Sequence, residues 1–554
     1  MTKTIYEEII SLLREAVQAV SRELGEKENK VFTWSEDKFF LTLPSNEKFG
    51  DYASNIAFFG ATFYGKSPRE LAQLIDAHIV KDGKLLAKTE VAGSGFINFF
   101  IARERLYREL AEILSAKDKY ARTSAGGKKK IQIEFVSANP TGPLHVGHGR
   151  GAATGDALAR IFRALGYDVQ KEYYVNNIGN QMQILGRSVQ ARFEDKEIPE
   201  DGYKGDYIKE IAGQVPQKSA PNEDFFRQFA IDTILDWIKK DLEDFGVVFD
   251  NWFFENTLYE GRDLKKELLT KLDHEHPPKS YEKDGAVFVK TTDFGDDKDR
   301  VIFRADGRPT YFASDIAYHE NKFNRGFDQV IDIWGADHHG YVPRMEAAIR
   351  ALGHPAEKLK IILYQLVSLK RGSEVVPMST RAGEFVTLRQ VLDEVGKDAC
   401  RFFFLMRSPD SPLDFDLELA KKHSSDNPVY YVQYAHARIS SVFREAEKNS
   451  LQLADGSGQL KTLELLKEPE ETQVIKKLAN FSKILADCAR TYDPHWLTIY
   501  VQELATVFHN FYTKHRIVTD DRELSLARLN LIKAVSLVIK DGLDLLGISA
   551  PEKM

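Results

Sequence analysis

The spacing of apolar residues divides the chain into three parts with different patterns. In the first part, apolar residues recur every three or four positions from Ile5 to Leu24, which predicts an amphipathic helix. Two apolar runs, Phe39–Leu43 and Gly95–Ile101, predict strands. The small, flexible and basic stretch Ser124–Lys130 then predicts a solvated linker. We therefore expect an α+β module over residues 1–120.

The second part alternates between strand and helix patterns. A strand, a helix rich in Ala and Leu, and a second strand follow one another within roughly 45 residues, which implies a parallel pair with a right-handed crossover. The predicted strands are Ile131–Val136, Val169–Val175, Val330–Trp334 and Lys360–Tyr364, and the predicted helix is Gly149–Leu165. These elements predict an α/β domain of Rossmann-like type over residues 121–425, with a polar insertion at about 186–303.

The third part, residues 426–554, is nearly all helical in pattern, with a loop at Ala454–Gly458. The whole chain of 554 residues is therefore predicted to be a multidomain protein with an α+β N-terminal module, a parallel-sheet α/β domain and an all-α C-terminal domain.

Composition narrows the class of protein. A net charge of -7 argues against an electrostatic coat protein for nucleic acid, so a nucleic-acid partner requires charge that is sorted locally. The only two cysteines, Cys400 and Cys488, exclude a disulfide scaffold and a thiolate zinc site. The N-terminus lacks a secretory apolar run, and no uninterrupted apolar stretch of about 18 residues occurs. We expect a cytoplasmic protein with no membrane span.

The strongest chemical signal is the Pro- and Gly-rich loop Ser137–Arg150, between the first predicted strand of the α/β domain and its helix. Ligands bind at such junctions in open parallel sheets. His145 and His148 fall at the helix entrance, where free N–H groups attract phosphate, and Gly147 leaves a flat surface for an adenine ring. The alternatives are two structural loop histidines or a metal site, and the metal site lacks further clustered ligands.

The sequence His145-Val146-Gly147-His148 is similar to the His-x-Gly-His signature of class I aminoacyl-tRNA synthetases. The longer string from Glu134 to His148 resembles the bacterial arginyl-tRNA synthetase family. The resemblance continues at four further motifs: Gly95–Phe99, Tyr311–Asp315, Gly335–Gly340 and Asn427–Arg438.

The resemblance implies which residues bind the small substrates. Glu134, Ser137, Asn139, Tyr311 and Asp315, together with Asp337, correspond to residues that contact arginine. A planar guanidinium with five donors suits carboxylates in a bidentate fork, which Asp315 and Glu134 would supply. A carboxylate inside an apolar strand, as at Glu134, also needs a partner. The predicted ATP contacts are His145, Gly147, His148, Arg150, Gly335, Asp337, His338, Met378 and Ser379.

The second signature of class I enzymes, Lys-Met-Ser-Lys-Ser, departs from its pattern in this chain. The matching stretch is Pro377–Gly383, and both lysine positions are lost. Arg381 is the nearest cation, so we expect it to act on the phosphates beside the catalytic residues His145 and His148. Arg150, Lys370 and Arg371 are the other candidates for this role.

Three regions are candidates for tRNA contact. Phe96 and Asn98 correspond to family residues that meet the tRNA elbow, although a strand-edge pair is the alternative. In the C-terminal part, aromatic and basic residues lie at close spacing from His509 to Arg516, a pattern that suits base stacking and phosphate contact. We expect Tyr434, Tyr512 and Arg516 to bind tRNA and Phe511 to be buried in the core.

The expected function is arginine–tRNA ligation by a monomer, with ATP and its Mg²⁺, L-arginine and tRNA(Arg) as partners and no protein-bound structural metal. Two other functions stay open. A nucleotidyltransferase of small molecules would share the nucleotide loop, but it would not need the long helical C-terminus. A synthetase-like RNA-binding or regulatory protein that has lost catalysis would explain the altered second signature.

Overall fold

The computed structural model describes residues 3–28, 34, 38, 41–44, 46–216, 222–274, 276–376, 386–451, 453 and 460–554. No helix within these ranges is both long and apolar enough to cross a membrane.

The N-terminal module is a small antiparallel sheet covered by helices. Its elements are α1 (Ile5–Glu28), β1 (Tyr52–Ser54), α2 (Ala57–Ala61), α3 (Pro68–His78), β2 (Leu86–Ala92), β3 (Phe96–Ile101) and α4 (Arg103–Ala116). The strand order is β1-β3-β2. The predicted first helix and the predicted strand at Gly95–Ile101 are confirmed as α1 and β3. Of the other predicted strand, Phe39 and Phe40 lie outside the described residues, and Thr42 forms a single bridge with Ala53.

The central domain is built on a five-stranded parallel sheet of order β11-β10-β4-β5-β6. Its first elements are β4 (Lys130–Phe135), α5 (Val146–Ala164), β5 (Asp168–Val175), α6 (Asn180–Phe193), α7 (Asp206–Gln214), α8 (Glu223–Asp244), β6 (Asn251–Phe254), α9 (Leu264–Leu272), β7 (Ser280–Lys283), β8 (Ala286–Val289) and β9 (Arg300–Phe303). The remainder are α10 (Tyr311–Asn324), β10 (Gln329–Gly335), α11 (Val342–Ala351), β11 (Leu359–Tyr364), β12 (Val367–Arg371), β13 (Glu374–Val375), α12 (Leu388–Val395), α13 (Lys397–Leu405), β14 (Leu413–Asp416) and α14 (Leu417–Lys421).

The strand–helix–strand unit β4-α5-β5 is parallel, as the sequence predicts. Helix α5 lies close against the sheet because small residues face it: a Cβ at Gly155 would come within 2.3 Å of the Phe135 ring. Because α5 follows the carboxyl end of β4, its N-terminus lies at the carboxyl edge of the sheet.

The predicted insertion at 186–303 needs one correction. Its residues 251–254 form β6, which pairs in parallel with β5 and completes the central sheet. The strand is only four residues long and lies in a polar stretch, so periodicity did not single it out. Strands β7, β8 and β9 do form a separate antiparallel sheet within the predicted insertion.

The C-terminal domain is helical, as predicted. Its helices are α15 (Pro428–Lys448), α16 (Leu460–Leu463), α17 (Pro469–Ala479), α18 (Phe481–Thr491), α19 (His495–Lys514) and α20 (Arg522–Leu545). The predicted loop at 454–458 lies outside the described residues. The bundle contacts the N-terminal module, where the Tyr107 hydroxyl donates to the Leu466 carbonyl at 2.8 Å.

Candidate active site

The chain turns sharply where β4 ends. Val136 and Ser137 have φ values of 69° and 40°, and the Ser137 N–H donates to the Phe135 carbonyl at 3.0 Å. Such values are costly for residues with a Cβ, above all for a β-branched valine, and they concentrate at functional sites. The Ser137 hydroxyl secures the turn, because it donates to Glu134 Oε1 at 2.8 Å and accepts from the Tyr174 N–H at 3.1 Å.

The two histidines of the loop lie together at the start of α5. Their rings stack with centroids 3.6 Å apart. The Nδ1 atom of His145 accepts from the Gly147 N–H at 3.1 Å, and the Nδ1 atom of His148 accepts from the His145 N–H at 3.3 Å. Because each Nδ1 is an acceptor, a neutral ring carries its proton on Nε2.

The surroundings keep these imidazoles neutral. Burial lowers the pKa of His145, with Asp337 acting against the shift. Burial and the neighbouring His145 hold the pKa of His148 well below its ordinary value. The pair can therefore present two Nε2–H donors at a helix N-terminus, which is the arrangement that stabilises phosphate oxygens.

Strand β10 brings its own end to the same edge of the sheet. Gly335 closes the strand, and Asp337 and His338 follow it in a short helical turn with exposed side chains. Asp337 is close enough to act on the pKa of His145. The structure thus brings together His145, Gly147, His148 and the start of the segment 335–338, as the sequence predicts.

Arg150 does not join this group. Its side chain is fully buried, and its guanidinium donates to the carbonyls of Gln365 at 2.9 Å and Ser408 at 2.8 Å. Arg150 follows His148 by two residues, about half a helical turn, and therefore lies on a different side of α5. The structure therefore does not support the predicted ATP contact of Arg150.

Of the residues predicted to contact the phosphates near the second signature, some lie outside the described residues and others have acidic partners. Met378, Ser379 and Arg381 lie outside the described residues. Lys370 pairs with Asp414 at 2.6 Å, and Arg371 donates to Glu394 Oε2 at 2.8 Å. Both alternatives are thus engaged with acidic side chains in this structure.

Asp315 lies in the first turns of α10, which Thr310 caps by accepting from the Ala313 N–H. Its carboxylate accepts from the Tyr341 hydroxyl. Tyr311, four residues earlier on the same helix, is 65% exposed. The predicted pair therefore shares one helix face, with the tyrosine at the rim and the carboxylate deeper.

A second acid, Glu255, faces Asp315 from the carboxyl end of β6. It is buried and hydrogen-bonds with Tyr174 and Ser314. Burial raises the pKa of both carboxyl groups, and Asp315 adds to the rise at Glu255. Neither carboxylate forms an ion pair with any residue that the structure describes, and Lys322 and His319 act on Asp315 without pairing with it. The two neighbouring acids therefore lack a paired cation among these residues.

Glu134 already has the partner that a buried carboxylate needs. Its Oε2 lies 2.5 Å from Lys322 Nζ, while Ser137 occupies Oε1. Asn139, at the exposed start of the loop, donates to Gln181 Oε1 at 2.8 Å. Glu134, Ser137 and Asn139 therefore follow one another from the end of β4 into the histidine loop.

Sequence reasoning missed Glu255, Tyr341 and Lys322. Glu255 carried a usable signal, since it directly follows an aromatic run, Trp252–Phe254, at the carboxyl end of a strand. The run falls within the predicted insertion, which is why the sequence did not assign it to the central sheet. Lys322 and Tyr341 have no local signal, because only the packing of α10 on the sheet makes them neighbours of the predicted acids.

The predicted tRNA contacts of the bundle cluster around a residue that we did not predict. The Arg438 guanidinium lies between two rings, 4.7 Å from the centroid of Tyr434 and 5.0 Å from that of Tyr512. Phe511 is fully buried, as expected, and Arg516 is exposed beyond the end of α19. We call Arg438, Tyr434 and Tyr512 the aromatic clamp.

In the N-terminal module, the two residues predicted to contact tRNA differ in exposure. Phe96 is 41% exposed and its ring lies 5.3 Å from that of Phe58. Asn98 is buried in the sheet between Ala53 and Glu90. The exposed phenylalanine is available to a partner, whereas the asparagine fits the alternative of a residue inside the sheet.

Among the residues that the structure describes, no group of three or more potential ligand side chains could hold a metal ion. The family model "tRNA synthetases class I (R), catalytic domain" matches residues 109–406. Models of the "Arginyl tRNA synthetase N terminal domain" and the "DALR anticodon binding domain" match residues 7–101 and 432–554. The fold and site thus define a class I tRNA synthetase.

Individual proteins narrow this class. The chain is 48% identical to the arginine–tRNA ligase of Syntrophotalea carbinolica over 528 residues, which cover 93% of this chain and 94% of that protein. It is 45% identical to the arginine–tRNA ligase of Thermotoga maritima over 97% of this chain and all of that protein. The structure of Thermus thermophilus arginyl-tRNA synthetase has the same fold, with a TM-score of 0.74 at 24% identity over 97% of this chain and 100% of that chain. The chain belongs to the arginine–tRNA ligase family.

Proposed function

We propose that this chain performs the reaction of its family with the substrate guanidinium held between Asp315 and Glu255. In that reaction L-arginine is activated with ATP to arginyl-adenylate and pyrophosphate, and arginine then passes to the terminal ribose of tRNA(Arg). The observation that carries the assignment is the pair of neighbouring acids, neither of which has an ion-pair partner among the described residues. A guanidinium, which is always charged and donates in a planar fork, supplies the missing charge and donors.

The other predicted residues would contact the rest of the arginine substrate, from its guanidinium toward the nucleotide. Glu134 lies nearer the loop and already has Lys322, so we assign it to the substrate's α-ammonium group rather than to the guanidinium. Ser137 and Asn139 follow Glu134 into the loop, and Tyr311 borders the entrance of the pocket. This order leaves the substrate carboxylate at the edge of the sheet where His145 and His148 lie.

Attack of that carboxylate on the α-phosphate of ATP builds negative charge on the phosphate oxygens. The Nε2–H donors of His145 and His148 stabilise this charge, and positioning supplies the rest of the rate. Asp337 and His338 contact the nucleotide or the amino acid, and Mg²⁺ accompanies ATP as the counter-ion of its phosphates. No covalent enzyme intermediate is needed.

For the second half of the reaction, we assign tRNA contacts to Phe96, the aromatic clamp and Arg516. A half-exposed arginine between two tyrosine rings offers π faces for stacking a base and a charge for phosphate. We expect the enzyme to act as a cytoplasmic monomer, as the family resemblance implies.

The test is pyrophosphate exchange with arginine, with and without tRNA, in the parent and in Asp315→Asn and Glu255→Gln. Exchange that requires arginine and weakens in both variants supports the assignment. Exchange without arginine would instead indicate a nucleotidyltransferase of another small molecule. Binding of tRNA without exchange or charging would indicate the regulatory alternative.

A further inference from the structure

A lysine ammonium group lies buried beneath the proposed arginine pocket. The Lys322 side chain is fully buried, with Nζ 2.5 Å from Glu134 Oε2, 2.6 Å from Asp332 Oδ1 and 4.4 Å from the centroid of the Tyr318 ring. A buried ammonium is costly unless carboxylates pair with it. Two carboxylates from different strands share this one.

The same contacts fix Glu134. Lys322 holds Oε2, and the Ser137 hydroxyl, itself tied to the main chain of β5, holds Oε1. Both oxygens of Glu134 are therefore anchored, and the carboxylate plane has one orientation. Each oxygen keeps a second lone pair with which it can accept from a substrate.

Lys322 also controls the charge of Glu134. The charged or titratable groups that face Glu134 are Lys322 and Tyr318 from α10, Arg325 just after the end of α10, Tyr174 from β5 and Asp332 from β10. Burial raises the pKa of Glu134, Lys322 acts against the rise, and Asp332 adds to it. Lys322 acts in the same direction on Asp315.

We infer that Lys322 is a positioning residue for arginine activation, which keeps Glu134 ionised and oriented toward the substrate's α-ammonium group. The inference rests on the proposed role of Glu134. It goes beyond a structural role of Lys322, in which the ammonium would only tie α10 to the sheet. The two roles differ in their pH dependence, because only the first controls whether Glu134 is charged.

The experiment compares kcat/KM for arginine between pH 6 and pH 8.5, with saturating ATP and tRNA, in the parent, Lys322→Met, Lys322→Arg and Glu134→Gln. Removing the ammonium raises the pKa of Glu134, so the acid limb of the profile moves to higher pH. We expect Lys322→Met to lose on the order of tenfold more activity than the parent between pH 8.5 and pH 6. Lys322→Arg keeps the charge and should restore most of the parent profile.

The double variant Glu134→Gln/Lys322→Met assigns the shift to Glu134. If Lys322 acts through Glu134, Lys322→Met displaces the acid limb in the parent background but not in the Glu134→Gln background. A shift that persists in the double variant runs through Asp315 and overturns the inference. A loss of activity in Lys322→Met that is uniform across pH makes Lys322 structural only and also overturns it.

Glu134→Gln alone separates this inference from the proposed function. If its arginine use equals that of the parent, the proposed role of Glu134 fails, whatever Lys322 does. If Lys322→Met does not fold, Asp332→Asn decides: removing this acid should lower the pKa of Glu134 and move the acid limb to lower pH. An unchanged limb in Asp332→Asn would then overturn the inference.

Discussion

Two groups of buried acidic side chains adjoin the central sheet, and their charges are balanced in opposite ways. In the first, which we call the Asp156 cluster, one carboxylate is surrounded by three cations. Asp156 lies 2.9 Å from Lys171 Nζ, 2.8 Å from Arg160 Nε and 2.8 Å from a terminal nitrogen of Arg401. In the second, the Asp315–Glu255 pair, neither carboxylate has an ion-pair partner among the described residues, and Lys322 and His319 act on Asp315 without pairing with it.

The Asp156 cluster is complete in itself. Although burial opposes ionisation, Arg401, Lys171 and Arg160 hold the pKa of Asp156 far below its usual range. The excess positive charge is directed at helix ends: Arg401 donates to the carbonyls of Leu546 at 2.8 Å and Phe245 at 3.2 Å. Carbonyls at helix C-termini carry partial negative charge and stabilise cations. The cluster therefore joins α5, β5, α8, α13 and α20, and its carboxylate needs no cationic ligand.

The Asp315–Glu255 pair is incomplete, because no neighbouring cation outweighs burial, which raises the pKa of both carboxyl groups. The difference teaches that burial alone does not distinguish an acid with a structural role from an acid that binds a ligand. What distinguishes them is whether the chain supplies the compensating charge. Where it does not, a cationic ligand is the missing partner.

The comparison predicts that Asp315→Asn abolishes most arginine use and leaves the fold intact. The change keeps size and hydrogen-bonding capacity but leaves the guanidinium without its counter-ion, so we expect a loss of about 3 to 5 kcal/mol, roughly two to four decades. The measurement is kcat and KM for arginine in pyrophosphate exchange with tRNA present.

Two controls sharpen this result. Asp306→Asn removes an exposed acid that is paired with Arg308, in the turn before α10, and should leave arginine use unchanged. Lysine should remain a poor substrate of Asp315→Asn, since an ammonium cannot fill a bidentate fork. An Asp315→Asn enzyme within about threefold of the parent would remove Asp315 from the pocket.

The matching change in the Asp156 cluster, Asp156→Asn, should lower stability and leave arginine use unchanged. It leaves three cations around a neutral side chain, and breaking a buried pair in this way costs about 3 to 5 kcal/mol of stability. Denaturant unfolding measures the loss, and KM for arginine of the remaining folded enzyme should be near that of the parent. A variant with parental stability but poor arginine use would reverse our assignment of the two groups.

The nucleotide half of the site can be compared with the two acidic groups, because His145 and His148 act as uncharged hydrogen-bond donors. We expect His148→Ala to lower the rate of activation by about 2 to 4 kcal/mol in the barrier, and to change ATP affinity far less. His78→Ala, at an exposed pair with Glu23, is the control. Parental turnover with a raised KM for ATP would make His148 a ground-state contact instead.

The sequence predicted the parts of the molecule whose signal is local. Helix α5 and the strands β4, β5, β10 and β11 follow from apolar periodicity, and His145 and His148 follow from one continuous loop. The Asp315 prediction needed the family resemblance, because an acid on a helix is ordinary in isolation.

The remaining features depend on contacts between distant segments. Lys322 and Glu134 are separated by 188 positions, yet their charges meet in the core. The commitment of Arg150 to two carbonyls was equally hidden, because a motif places a residue on a helix but does not fix the direction of its side chain. Strand β6 was missed because four residues are too few to establish a period.

The aromatic clamp adds a third case to the comparison. Its cation, Arg438, lies between two tyrosine rings instead of beside an acid. Tyr512→Ala should weaken tRNA charging by about 1 to 3 kcal/mol through the loss of a stacking surface, with arginine activation unaffected. Arg516→Ala should weaken binding less and reduce its salt dependence slightly. Trp496→Ala, an exposed aromatic at the other end of α19, is the matched control. Normal charging in both variants together with lower heat stability would assign this stretch to the core.

The smallest expected effect concerns the stability of the free enzyme and its dependence on pH. Burial and Asp315 raise the pKa of Glu255, so the folded chain retains this proton to a higher pH than the unfolded chain does. Ionisation of Glu255 therefore destabilises the fold above the folded-state pKa, and this cost is absent below the unfolded value of about 4. We expect Glu255→Gln to be more stable than the parent at pH 8, by on the order of 1 kcal/mol, with the difference vanishing toward pH 4.

Saturating arginine should cancel the difference at pH 8, because the guanidinium neutralises the acid in the parent but finds only an amide in the variant. Thermal unfolding of both proteins with and without arginine measures these shifts, and a Glu255→Gln protein that is less stable than the parent at pH 8 would show that the carboxylate is already compensated within the fold.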